Sequence, residues 1–231
     1  MKLFAIGDLH LSGNQNKPMS KFGDHWDNHQ INIEKNWLNN ITDKDIIAVP
    51  GDISWAMSLD EVSEDLHWLH TLPGTKIMLR GNHDYWWKKI KYLNSLYKNM
   101  IFLQNSSTLI NDVHIAGSRG WLCPGSLYYK TADEKIYLRE LQRLELSLKS
   151  CKLKQGQVII VLMHFPPFNE KRETSGFMDL FKKYNVKRVI YGHLHDQKSF
   201  NNAIIGGWQG IEYNLVSADY INFNPLPIMK L

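Results

Sequence analysis

The sequence predicts an α/β fold, and two observations carry that prediction. Short apolar runs rich in β-branched residues recur along the chain, and their hydrophobicity is continuous rather than alternating, which is typical of strands covered on both faces. Amphipathic segments with helical spacing lie between some of these runs, and an alternation of strands and helices favours an α/β architecture. The predicted strands span residues 2–6, 45–49, 75–79, 113–117, 158–163 and 187–191.

The first clear helix follows the second of these strands. Ser58 and Glu61 have the spacing of a capping box, so residues 58–72 are predicted to be helical until Pro73 and Gly74 end the helix. Its apolar face consists of Leu59, Val62, Leu66 and Leu69.

A second helix is predicted to begin at Thr131, because Glu134 follows three residues later, again as in a capping box. Glu140 and Arg143 of this helix are predicted to be a solvated charge pair. The apolar side consists of Ile136, Leu138, Leu141, Leu144 and Leu148.

The residue pattern in the last part of the chain differs from the pattern before it. From about residue 200 to residue 231, glycines precede the stretch YNLVSADYINF, which predicts strands separated by turns. No linker rich in Pro, Gly or Ser divides the chain, so we expect a single domain over residues 1–231.

The composition excludes several classes of protein. The net charge of +4 comes from 27 basic and 23 acidic residues that are mostly scattered, so a nucleic acid partner is not expected. Cys123 and Cys151 have neither a metal-binding nor a redox spacing, which fits a reducing compartment.

The aliphatic stretch 158–163 is too short to span a bilayer, and a secretory signal is hard to fit to a first strand followed by Asp8. We therefore expect a cytoplasmic protein with no membrane segment.

Polar motifs follow the predicted strands at the points where the strands end. In an α/β sheet, the loops beyond the carboxyl ends of the strands form the crevice where ligands bind, so these motifs should meet at one edge. Their nitrogen and oxygen donors suit Mn, Fe, Co or Zn more than Ca or Mg, and they are too many for one ion. The residues concerned are Asp8, His10, Asp52, Asn82, His83, Asp84, His164, His193 and His195.

The ordered motifs GDLH, GDISWA, GNHDYWW, MHFPP and GHLH, over residues 7–195, closely resemble those of the calcineurin-like metallophosphoesterases. Within that family, the chain is similar to a group of uncharacterised bacterial predicted phosphohydrolases. The resemblance implies a four-layer α/β/β/α sandwich of two mixed sheets flanked by helices, with a dinuclear metal centre. It implies that one ion is held by Asp8, His10 and His195, that the other is held by Asn82, His164 and His193, and that Asp52 bridges them.

The resemblance also implies a mechanism. Two divalent ions, with manganese the first expectation and iron, zinc or cobalt as alternatives, lower the pKa of the water between them, and the bridging hydroxide attacks phosphorus. His83 is then the general acid that protonates the leaving group, and Asp84 orients the ring of His83 and favours its protonated form.

The substrate class stays open at this point. A small-molecule or nucleotide-like phosphoester is expected, but the sequence does not choose between a monoester and a diester. The motifs GDISWA and GNHD replace the GD-x-x-DRG and GNHE of protein serine/threonine phosphatases, which makes that activity less expected. A nuclease would need a basic track that is absent. The alternative from another functional class is a non-catalytic metal-binding scaffold, which the complete ligand set disfavours. The sequence does not determine the oligomeric state.

Three further residues are candidates for substrate binding. Arg119 could clamp a phosphate oxygen or form an ordinary salt bridge. Trp55 and Trp86 lie close to Asp52 and Asp84 in sequence, and either could wall a pocket for a flat substrate group, although aromatic residues usually belong to the core.

Overall fold

Two mixed β-sheets pack face to face in the computed structural model, which describes residues 1–13 and 17–231, and helices cover their outer faces. This arrangement confirms the four-layer α/β/β/α sandwich. The strands are β1 Lys2–Ala5, β2 Ile46–Val49, β3 Thr75–Leu79, β4 Met100–Leu103, β5 Thr108–Ile110, β6 Val113–Ser118, β7 Val158–Met163, β8 Arg188–Tyr191, β9 Gly206–Trp208, β10 Ile211–Leu215 and β11 Leu226–Lys230. The α-helices are α1 His29–Asn40, α2 Leu59–Thr71, α3 Ile90–Leu96, α4 Thr131–Lys149, α5 Gly176–Lys183 and α6 Gln197–Asn202.

The strand order brings many carboxyl ends to the same region. The first sheet has the order β11-β1-β2-β3-β4, with β11 antiparallel and the other four strands parallel. The second sheet has the order β5-β6-β7-β8-β10-β9, in which only the edge pairs β5–β6 and β9–β10 are antiparallel. Because the central strands of each sheet are parallel, the loops that follow them emerge at one edge of that sheet.

Three apolar clusters fill the spaces between the four layers. Leu3 and Ala5 of β1 face the cluster between the two sheets, whereas Phe4 of the same strand faces the cluster under α1 and α2. A third cluster lies between the second sheet and the helices α4 and α5. Each central strand is therefore buried on both faces, which explains its continuous hydrophobicity.

The predicted strands are confirmed to within one residue at each end, and the tail forms β9, β10 and β11. The helix predicted at 58–72 spans Leu59–Thr71, and the Ser58 hydroxyl accepts a hydrogen bond from the Glu61 amide at 3.3 Å. The sequence missed β4 and β5, which are short. No helix in the described residues is long and apolar enough to cross a membrane.

The cap and one face of α4 differ from the prediction. The helix begins at Thr131, but the capping carboxylate is Asp133, which accepts from the Lys130 amide at 2.8 Å. Leu138 is exposed, and Glu140 is only 1% exposed, so the prediction that Glu140 is solvated is wrong. The physical reason is that Glu140 lies inside, where it accepts hydrogen bonds from a serine and arginines.

Candidate metal centre

Loops from both sheets meet at the carboxyl ends of β1, β2, β3, β7 and β8. Two glycines let these loops approach each other closely. A Cβ atom at Gly81 would collide with the Asp52 carboxylate, and one at Gly192 would collide with the Asp8 carboxylate. These contacts give a physical reason for the glycines in GNHD and GHLH, since any larger residue would push a carboxylate away.

The first group of donor atoms belongs to Asp8, His10 and His195, whose ligand atoms all lie within 4.8 Å of one another. The Nε2 atoms of the two histidines are 3.4 Å apart, and the Nε2 of His195 is 3.5 Å from the Oδ1 of Asp8. The structure thus brings together the three side chains that the resemblance assigns to one ion.

The second group consists of Asp52, His164 and His193, again with ligand atoms within 4.8 Å of one another. Asn82 joins it, because its Oδ1 is 2.6 Å from the Nε2 of His164. Asp52 faces both groups, since its Oδ2 lies 3.4 Å from the Nε2 of His164 and 3.8 Å from the Nε2 of His10. A carboxylate in this position can share its oxygens between two ions.

The charges at the centre fit bound cations. Asp8 and Asp52 are both at least 98% buried, and burial, together with the Asp84 and Asp8 charges, raises the pKa of Asp52 well above its usual value. Burial also holds the pKa values of His10, His164 and His193 well below normal, so these imidazoles are neutral and have a lone pair to offer. Neutral imidazoles and carboxylates that converge in this way are ligands that suit a divalent cation of intermediate hardness.

The backbone at the centre is strained. Four non-glycine residues, namely Asp8, His10, Asp52 and His193, have positive φ angles of 55°, 45°, 49° and 73°. Such conformations are uncommon for residues with a Cβ and persist only where the surrounding structure holds them. Strain at four donor residues indicates that the geometry of the donors is determined by the packed loops around them.

His83 lies at the edge of the centre with 35% of its side chain exposed. Its Nε2 is 4.0 Å from the Oδ2 of Asp52, and its ring centroid is 4.4 Å from that of Trp55. Burial and the nearby His195 lower its pKa. A half-exposed imidazole in this position can reach a ligand bound between the two groups of donors.

Asp84 has different partners from those the resemblance implies. Its fully buried carboxylate accepts hydrogen bonds from the amides of Ile53, Ser54 and Gly81 and from the indole of Trp86. No hydrogen bond joins it to the ring of His83 in the described part of the chain, because these four donors surround it. Asp84 therefore ties the loop after β2 to the loop after β3, and the prediction that it orients His83 is wrong.

The substrate-binding candidates have separate outcomes. Arg119 forms a salt bridge with buried Glu140 at 3.4 Å, which is the second of the two possibilities considered for it. Trp86 is fully buried, so the prediction that it walls a pocket is wrong. Trp55 is partly buried and stacks on His10 with ring centroids 4.8 Å apart, which places it beside the first group of donors.

Asp219 is a residue that the sequence analysis missed. Its Oδ1 is 3.0 Å from the Nδ1 of His195, and its side chain is 2% exposed. Burial lowers the pKa of His195, but hydrogen bonds and charges from Asp219 and Asp8 outweigh it and raise that pKa to about 10. A carboxylate on the far nitrogen of a histidine fixes the tautomer, so that the near nitrogen points toward a metal. No motif surrounds Asp219, so no local signal could have found it.

Comparison with known proteins decides the family. The model of the calcineurin-like phosphoesterases matches residues 1–197. The chain belongs to this family. Calcineurin-like phosphoesterases hydrolyse phosphoesters with the help of divalent metal ions, and the two groups of candidate ligands described above agree with that activity.

One sequence relative and two solved structures are similar to this chain, and the two structures support the fold. An uncharacterised protein of Methanocaldococcus jannaschii, MJ1445, is 26% identical over 143 residues, which are 59% of this chain and 75% of the relative. The structure of a phosphopantetheinyl hydrolase from Mycobacterium tuberculosis is similar, with a TM-score of 0.61, 15% identity and coverage of 98% and 95% of the two chains. A protein of unknown function from Aquifex aeolicus, AQ665, has a TM-score of 0.54 and 17% identity, with the same coverage.

Proposed function

We propose that the protein is a phosphoesterase with a dinuclear metal centre. Asp8, His10 and His195 hold one ion, Asn82, His164 and His193 hold the other, and Asp52 bridges the two. The observation that carries this proposal is the position of Asp52, whose Oδ2 faces both groups of donors at 3.4 and 3.8 Å. Manganese is the metal we expect first, and iron, zinc or cobalt also suit these donors.

Two divalent ions at this centre supply activation of a water molecule and a positive clamp on the phosphoryl oxygens. In its protonated form, His83 gives a proton from its ring nitrogen to the oxygen of the leaving group, an action typically worth about 10²- to 10⁴-fold in rate. Trp55 lies against both His10 and His83, and it keeps the His83 ring at the edge of the centre.

The substrate is a small-molecule or nucleotide-like phosphoester, and a nucleic acid is not expected because the net charge is only +4. Cytoplasmic location and a single domain over residues 1–231 remain predictions. A non-catalytic metal-binding scaffold is disfavoured, because it would bind metal without needing the partly exposed His83 beside the donors.

The proposal is tested with metal-free protein to which Mn, Fe, Co, Zn or Mg is added. The substrates are p-nitrophenyl phosphate and bis-p-nitrophenyl phosphate. We expect metal-dependent turnover of at least one ester and two bound ions per chain by elemental analysis. Asp52→Asn should lower both metal content and turnover, whereas Asp60→Asn, on the exposed face of α2, should change neither. Undiminished activity of the Asp52 variant at equal metal content would contradict the bridging role.

A further inference from the structure

A cleft of about 390 Å³ opens directly beside the metal centre. Its inner end is bordered by His193 and His195, and its volume lies in the range of small-molecule sites. Apolar atoms form most of its surface, and the aromatic and aliphatic residues that contribute them include Trp121, Leu122, Leu127, Tyr128, Phe165 and Phe168. A phosphoryl group at the metal centre would therefore have an apolar space on one side.

The aromatic wall is held in place before any ligand binds. The ring of Trp121 lies 4.9 Å from that of Phe165, and its indole nitrogen donates to Asp133 at 2.9 Å. The guanidinium of Arg119 stacks on the same indole at 4.6 Å. Phe165 in turn lies 3.9 Å from the ring of His193, so the wall is continuous with the metal centre.

The outer end of the cleft exposes apolar surface to water. Leu127 and Tyr128 are 75% and 70% exposed, and they are adjacent at its mouth. Glu170 accepts a hydrogen bond from the Leu127 amide and so holds this loop. The charged residues at the cleft are Glu170, Asp196 and Lys198, which do not favour a second phosphate. The cleft thus suits an uncharged, apolar group.

The cleft and the proposed proton donor border different parts of the centre. The ring of His83 lies 5.9, 4.4 and 6.5 Å from the rings of His10, Trp55 and Tyr85. Neither His83 nor any of these three neighbours lines the cleft, which meets the centre at His193 and His195 instead. A group in the cleft is therefore not the group beside His83.

We propose that the cleft binds the apolar ester group that stays on phosphorus, and that the substrates are phosphodiesters carrying such a group. This inference rests on the proposed function. Hydrolysis joins the oxygen of water to phosphorus and breaks the bond to the leaving oxygen, which takes its proton from His83. The second ester bond, to the group in the cleft, remains intact, so the products are an alcohol and a phosphomonoester. A monoester has no second ester group to place in the cleft.

The test varies the retained group while the leaving group stays the same. Both p-nitrophenyl methyl phosphate and p-nitrophenyl phenyl phosphate release p-nitrophenolate, whereas p-nitrophenyl phosphate has no retained ester group. We expect wild-type protein with Mn²⁺ to prefer the phenyl diester over the methyl diester by about tenfold or more in kcat/KM, because an aromatic ring fills an apolar pocket.

Substitutions in the cleft should remove that preference. Trp121→Ala should reduce the ratio of the two diester kcat/KM values by about tenfold, and Leu127→Ser with Tyr128→Ser by about threefold. The second variant changes only exposed side chains, so it keeps the test valid if the first does not fold. Tyr92→Ser, an exposed tyrosine on α3, is the matched control and should leave the ratio unchanged.

Two outcomes would overturn the inference while leaving the phosphoesterase proposal in place. One is an equal loss for both diesters in the cleft variants. The other is a comparable loss for p-nitrophenyl phosphate, which would mean that the cleft holds the leaving group. Absence of hydrolysis of all three esters with every metal would instead count against the proposed function itself, and with it this inference.

Discussion

At the scale of single residues, His83 and the metal ligands have separable roles. The side chain of His83 is partly exposed at the edge of the centre and belongs to neither group of clustered donors. Loss of its imidazole should therefore remove proton donation without removing metal. His83→Ala should lower kcat by about 10²- to 10⁴-fold while metal content stays at the wild-type value. Steady-state kinetics and elemental analysis on the same sample measure both quantities.

The control for this variant is His67→Ala, because His67 is an exposed histidine on α2 and should have no effect. If His83→Ala lost metal in proportion to activity, His83 would be a ligand and the assignment of the proton donor would be wrong.

Asp219 should act through His195. Its carboxylate holds the Nδ1 of His195 at 3.0 Å, and groups that orient a ligating histidine typically change metal affinity by about 10- to 100-fold. Asp219→Asn should weaken metal binding by about that factor, and activity should return at high metal concentration. Calorimetric titration with metal measures the affinity, and assays at increasing metal concentration measure the recovery of activity. Asp179→Asn, at an exposed carboxylate on α5, is the control; a loss of activity that excess metal does not restore would contradict the positioning role.

Residues differed in how well the sequence predicted them. The clustered donors were predictable because each lies within a short motif at a strand end. Asp219, Glu140 and the walls of the cleft were not, because their partners come from distant segments: Asp219 is 24 residues from His195, and Arg119 is 21 residues from Glu140. Contacts of this kind depend on how the loops and the helix α4 pack, which local pattern does not encode.

At the scale of elements, β3 carries an unusual buried charge. Lys76 is fully buried, and its ammonium donates to the carbonyl oxygen of Leu72. Burial lowers its pKa to about 8, whereas an unfolded lysine has a pKa of about 10.4. The folded state therefore releases this proton at lower pH than the unfolded state does. The lysine should make the free energy of unfolding rise with pH from about 8 to about 10.4, and its penalty is fully present below pH 8.

Lys76→Met should remove this part of the pH dependence. Near pH 7, the variant should have a higher free energy of unfolding relative to the wild type than it has at pH 10. This advantage of the variant should shrink by about 1 to 3 kcal/mol between pH 7 and pH 10. Urea denaturation at both pH values measures it. Lys35→Met, on the exposed face of α1, should show no such change, and a difference independent of pH would mean that Lys76 is not a buried titrating group.

Most strands were predictable, whereas of the α-helices in the described residues only α2 and α4 were predicted. The central strands are buried on both faces, so their β-branched runs are long and continuous, and α2 has a cap that its sequence shows plainly. The strand β5 was missed because it has only three residues, none of them fully buried. The strand β4 is as long as β1, β2 and β8, so its length does not explain why it was missed. The beginning of α4 was located correctly while its capping carboxylate was not, because Asp133 and Glu134 are neighbours and the pattern alone favours the second.

At the scale of the whole molecule, the metal centre joins two sheets. Asp8, Asp52 and Asn82 follow strands of the first sheet, whereas His164 and His193 follow strands of the second. Ions bound between them should therefore stabilise the packing of one sheet on the other. Addition of Mn²⁺ at about 100 times its dissociation constant should raise the free energy of unfolding by about 2.7 kcal/mol per site.

Thermal unfolding with Mn²⁺ and with chelator measures this stabilisation. The increase in Tm should depend on metal concentration and should be much smaller in Asp52→Asn, in which the shared carboxylate is lost. An equal increase in both proteins would show that the metal acts elsewhere on the chain.

The position of β11 has a mechanical consequence. This strand pairs antiparallel with β1 at the edge of the first sheet, and Lys230 lies opposite Lys2. A pulling force applied between these two residues would therefore break the residue pairs of β1 and β11 one after another, starting at Lys2 and Lys230, instead of loading all the pairs at once. The connection from β10 to β11 contains Asp219, so the peeled segment would next pull on His195. A force on the outermost strand would thus be transmitted to the metal centre through this connection.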